Sequence, residues 1–81
     1  MEMIKVHNRS LDAWFIVDEK KVYDAATMVQ LPEDSELAKG AIRYVKRQKE
    51  ILRDQLYTAK GRERKRMERD LIRVRIALGE L

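Results

Sequence analysis

No cysteine occurs in this 81-residue chain, which excludes disulfides, thiolate metal sites and cysteine nucleophiles. The single histidine is His7 and the only serines are Ser10 and Ser35, all in the N-terminal half. The three glycines stand apart, so no glycine-rich loop is present to cradle a phosphate. No apolar run approaches the roughly 18 residues of a membrane span. The opening segment MEMIKV lacks the basic lead and apolar stretch of a signal peptide. Carboxylates fall mostly beside basic residues at helical spacing, as Glu63 with Arg66 and Asp70 with Arg73 do, which is the pattern of solvated helix faces. No catalytic, metal-binding or cofactor-binding residue is assigned on these grounds. Neither an enzyme nor a small-molecule substrate is expected, a membrane partner is not expected, and a cytoplasmic location follows by default.

Charge is what the chain has in abundance. Charged residues make up 40% of it, and the 44% hydrophobic share includes many alanines. One domain of this size sits close to the limit at which a single core suffices, so self-association would help it. The net charge of +4 conceals a split. Residues 1–39 carry five basic and eight acidic side chains, net −3, whereas residues 40–81 carry thirteen and six, net +7. The C-terminal half would therefore attract polyanions or acidic protein surfaces.

The N-terminal residues read as strands. Ile4 and Val6 alternate with Lys5 and His7, the period of a half-buried edge strand. Ala13–Val17 is continuously apolar and rich in β-formers, a central strand, and Val22–Asp24 returns after the polar turn Asp18–Lys21. With neither glycine nor Asn-Gly in that turn, a longer loop around a type I turn is expected rather than a tight primed one. Alternation puts Trp14 and Ile16 on one face of the central strand and Phe15 and Val17 on the other. The helices can cover one face; we assign Phe15 and Val17 to the open one, as part of a protein interface. Residues 25–31 read equally as a strand extension or a helical turn.

From Pro32 onwards the pattern is helical. Proline suits a first helical position, Asp34 or Ser35 can cap, and three carboxylates lie near the positive end of the helix dipole. Ala38, Ile42, Val45, Leu52, Leu56 and Ala59 share one face, with Lys49 in the skipped position. Leu37, Tyr44 and Ile51 widen that arc beyond what an ordinary surface helix needs. The pattern lapses at Gly61, which reads as a left-handed glycine ending the first helix. A second helix then carries Met67, Leu71, Val74, Leu78 and Leu81 in a coiled-coil-like seam, with Leu52 and Leu71 expected between the helices.

These readings define an α+β fold: a short N-terminal antiparallel β meander over residues 1–31, followed by a long helical hairpin over residues 32–81, in a single domain. Arg62, Arg66, Arg69 and Arg73 recur at four, three and four, forming one stripe able to follow a polyanion. Glu63, Glu68 and Asp70 are interspersed, no aromatic residue accompanies the stripe, and a solvated, charge-laced helix accounts for the same residues. Ile72 and Ile76 lie off the seam beside the arginines. They are either buried by the β unit or the apolar centre of a contact surface with a charged rim. The expected function is non-catalytic binding of another protein by a small regulator, inhibitor or assembly factor, through Phe15, Val17, Tyr44, Ile51, Ile72 and Ile76, as a homodimer. The alternative is nucleic-acid binding through the arginine stripe.

Overall fold

The computed structural model describes residues 3–80. Three strands, β1 (Ile4–Asn8), β2 (Ala13–Asp18) and β3 (Lys21–Asp24), form one antiparallel sheet in the order β1-β2-β3. Two helices follow, α1 (Glu36–Leu56) and α2 (Gly61–Ala77), joined by four residues into a hairpin. The α+β architecture read from the sequence is the one present.

Register decides which face of the sheet is the core. Ile4 stands opposite Val17 and Val6 opposite Phe15, while Val22 faces Val17 from the other side. Those apolar neighbours share one face. On the other face Ile16 stands between Lys5 and Tyr23, and Trp14 opposite His7. The helices accordingly pack on the Phe15 side, with Ala38, Ala41 and Val45 of α1 and Val74, Ala77 and Leu78 beyond them in one cluster. Phe15 and Val17 are buried in it, Val17 completely. They therefore lie inside the molecule, and the pair assigned from sequence to an open interface is the inner pair. The open face of β2 carries Trp14, which is 52% exposed with its ring 4.8 Å from that of His7.

The β2–β3 connection is tighter than the sequence indicated. Only Glu19 and Lys20 separate the strands, and both have positive φ, 47° and 69°. That is the backbone of a type I′ turn, which favours Asn-Gly because a left-handed conformation costs a side-chain-bearing residue about 1–2 kcal/mol. What holds it is tertiary: the Lys20 N–H donates to the carbonyl of Ala77 at 2.8 Å, supplying one of the orphan carbonyls at the end of α2. Replacing Glu19-Lys20 by Asn-Gly should raise the unfolding free energy by about 1–2 kcal/mol, read as a higher urea midpoint at unchanged slope.

Residues 25–31 resolve as a turn followed by a strand-like return. The Asp24 carboxylate accepts from the N–H groups of Ala26 and Thr27, Gln30 bridges Tyr23, and the Leu31 N–H donates to the Val22 carbonyl at 2.8 Å. Pro32 lies in the turn that precedes α1 rather than in its first position, since the Ser35 N–H bonds the Pro32 carbonyl. Ser35 is the N-cap, its hydroxyl accepting from the Ala38 N–H at 3.2 Å.

The helices end differently from the expectation. α1 stops at Leu56, where the Thr58 hydroxyl and the Ala59 N–H both bond the Gln55 carbonyl. Gly61 is left-handed, at φ 64°, but it opens α2 instead of closing α1. The left-handed C′ glycine is Gly79, φ 72°, with the Gly79 N–H on the Ile76 carbonyl and the Glu80 N–H on that of Arg75. These two bonds make a Schellman motif. Leu81, expected to extend the seam, lies outside the described residues.

Candidate functional site

The hairpin outreaches the sheet. At 1.5 Å per residue α1 is about 31 Å long, whereas a strand of six residues spans about 20 Å. Burial follows from that mismatch. Between residues 46 and 73 only Ala59 is buried; Leu52, Leu56, Met67 and Leu71 are half-buried. Leu52 packs against the core cluster and borders a groove closed by Met3, Ile4 and Lys5, whereas Leu71 borders the opposite flank beside Lys49 and Arg53.

The two flanks of the hairpin differ in charge. On one, Lys49, Arg53, Leu71, Arg75 and Glu80 line a common depression, and two of its three cations are paired. Lys49 Nζ donates to both carboxylate oxygens of Glu80, at 2.8 and 3.0 Å, and these bonds hold the Glu80 carboxyl below its ordinary range. Arg53 pairs with Glu50 at 3.9 Å, and Arg64, close by, with Glu68 at 3.0 Å. The Glu63–Arg66 pairing expected from spacing does not form.

The opposite flank is a groove of about 630 Å³. Tyr44, Gln48 and Leu52 border it from α1, Asp70, Arg73 and Val74 from α2, and Met3, Ile4 and Lys5 of the β unit close its end. Helical spacing extends both walls. Leu37, Tyr44 and Ile51, seven residues apart, make one stripe, and they are 39%, 47% and 41% exposed. Arg62, Arg66 and Arg69 continue the line of Arg73 towards the hairpin tip, all exposed. None of Arg62, Arg66 and Arg69 has a hydrogen-bond or ion-pair partner among the described residues. The flank is therefore apolar towards the sheet and cationic towards the tip, with the two characters meeting at Tyr44 and Arg73.

Of the residues singled out from sequence, this groove brings together Tyr44 and Arg73, while helical spacing sets Ile51 in line with Tyr44 and Arg62, Arg66 and Arg69 in line with Arg73. Phe15 and Val17 are core residues. Ile72, 49% exposed, and Ile76, half-buried, lie on the side of α2 turned away from Val74, so the two do not share one fate. Leu37 and Trp14 were not among the candidates. Leu37 was legible at seven residues before Tyr44; Trp14 depended on which face the sheet turns inward.

No family model, curated protein or solved structure matches the chain significantly. Among the described residues no helix is long and apolar enough to cross a membrane.

Proposed function

We propose that this chain is a small, non-catalytic, cytoplasmic binding protein that takes another protein on the Tyr44–Arg73 flank of its helical hairpin, acting as a regulator, inhibitor or assembly factor. The observation that carries the reading is the side-by-side apolar and arginine stripes. The apolar stripe stays half-exposed, and three of the arginines lack partners among the described residues. An amphipathic helix with an apolar ridge and acidic margins complements both. A second copy of the chain fits this flank poorly, because a two-fold axis would bring the arginines against one another. Self-association belongs on the open face of the sheet, where Trp14 is accompanied by charges of both signs, Lys5, Lys21 and Asp18.

The test uses a synthetic amphipathic helix with leucine on one face and glutamate beside it, and the same helix with lysine replacing glutamate. The acidic helix should bind and the basic one should not. Tyr44→Ala and Ile51→Ala should each weaken binding by more than about 1 kcal/mol, while Arg66→Gln/Arg69→Gln mainly slows association and flattens its salt dependence. Light scattering should give a mass near twice 9.6 kDa at micromolar concentration, returning to one chain in Trp14→Glu.

The unpaired arginines support a second reading, attachment to a nucleic-acid backbone. In that case duplex binding would lose about 0.9 of log–log salt slope for each arginine replaced by glutamine, and Tyr44→Ala would leave it unchanged. That outcome, with no binding of the acidic helix, would reverse the order of the two.

A further inference from the structure

On the other side of α1 from Tyr44, a cleft of about 520 Å³ separates α1 from β3 and the β2–β3 turn. Its volume lies within the range of small-molecule sites. The floor is apolar, formed by Val22, Leu31, Ala38 and Ile42. The rim is mainly cationic: Lys20 of the turn stands across from Lys39, Arg43 and Lys46 of the helix, beside two carboxylates, Glu19 and Glu33. Lys39 has Glu36 4.0 Å away. Lys20, Arg43 and Lys46 have no ion-pair partner among the described residues, although two carboxylates share their rim.

The sheet-side wall is held in place before any ligand arrives. The turn is tied to the end of α2 by the Lys20 N–H bond to Ala77, and Leu31 is tied to β3 through Val22. A fixed apolar floor lowers the ordering cost of binding, and a rim on which cations outnumber the two carboxylates favours an anion.

We propose that this cleft binds a soluble organic anion, a small apolar body carrying a phosphoryl, sulfonyl or carboxylate group. Leu31 and Ile42 receive the body, and Lys20, Arg43 and Lys46 receive the charge. The site is separate from the hairpin flank and does not depend on the reading given to it.

The probe is 8-anilinonaphthalene-1-sulfonate, an anion on an aromatic body, titrated into the full chain and followed by amide chemical shifts. The shifts should concentrate at Val22, Leu31, Ala38 and Ile42. Arg43→Gln/Lys46→Gln, two exposed positions whose replacement leaves the core intact, should weaken the probe about tenfold. Arg66→Gln/Arg69→Gln should leave its affinity unchanged, which separates this site from the hairpin flank. Inorganic phosphate, having no apolar body, should bind at least about tenfold more weakly than the probe. Shifts spread along α2 would overturn the proposal, as would equal affinity in the Arg43/Lys46 variant or phosphate binding as strongly as the probe. Tighter binding to phosphatidylglycerol vesicles than to the free probe would equally overturn it, by assigning the basic rim to a lipid surface.

Discussion

Phe15→Ala should destabilise the fold by about 3–5 kcal/mol, enough to leave much of the chain unfolded at 37 °C. Phe15 is 4% exposed in the core cluster where the sheet and both helices meet. At about 0.05–0.15 kcal/mol per residue, an 81-residue chain has roughly 4–12 kcal/mol in all, so this single truncation removes a large share of it. Urea unfolding followed by far-ultraviolet circular dichroism reads the loss. Trp14→Ala provides the contrast: the two side chains are adjacent, both aromatic, and on opposite faces. It should cost less than about 1 kcal/mol, since its ring is half-solvated. Equal losses would mean that the sheet presents its other face to the helices.

Gly79→Val should be the second large effect, about 2–5 kcal/mol, from two causes acting at one atom. The residue sits at φ 72°, a conformation that costs a branched side chain at least about 1–2 kcal/mol. A Cβ there would also stand 3.3 Å from the Cβ of Lys20 and 3.7 Å from the Glu19 carbonyl carbon, so the β2–β3 turn would have to move. That turn and the end of α2 share the Lys20–Ala77 bond, and Glu80 next in sequence carries the pair with Lys49. The substitution should therefore release the α2 C-terminus as a unit. Hydrogen exchange should then accelerate at the Lys20, Gly79 and Glu80 amides more than at Val45. Gly61→Ala makes a control: its φ is 64°, but nothing lies within 4 Å of the added carbon, so only the conformational cost remains.

Both predictions concern features that sequence patterning reached incompletely, and for identifiable reasons. Apolar alternation placed β1, the run Ala13–Val17 placed β2, and the helical repeat placed both helices, because each depends on the spacing of neighbours along one chain. Which face of β2 became the core depended instead on register, and a one-residue slip would have turned Trp14 inward and Phe15 outward. Ile4 and Val6 both fall opposite Val17 and Phe15, a fact available only once β1 and β2 are paired. The type I′ turn was missed for a related reason. Glu19-Lys20 has poor turn chemistry on its own, and its compensation, the Ala77 carbonyl, lies 57 residues away in sequence.

The same division runs through the candidate sites. Sequence by itself determined the antiparallel meander, the helical pair, the split of charge between the halves and the arginine stripe of α2, since periodicity and composition are local properties. Tertiary structure alone decided that Arg73 at the end of the stripe stands beside Tyr44, and that among the described residues Arg62, Arg66 and Arg69 go unpaired while Lys49, Arg53 and Arg64 do not. It also decided that a basic rim closes over Val22 and Ile42. Each of these is a juxtaposition of elements far apart in the chain, set by how α1 and α2 rotate about their axes to bury Val45 and Val74 against the sheet. Rotation about a helix axis is fixed by the fit of side chains across the core, which no spacing along one strand or helix encodes.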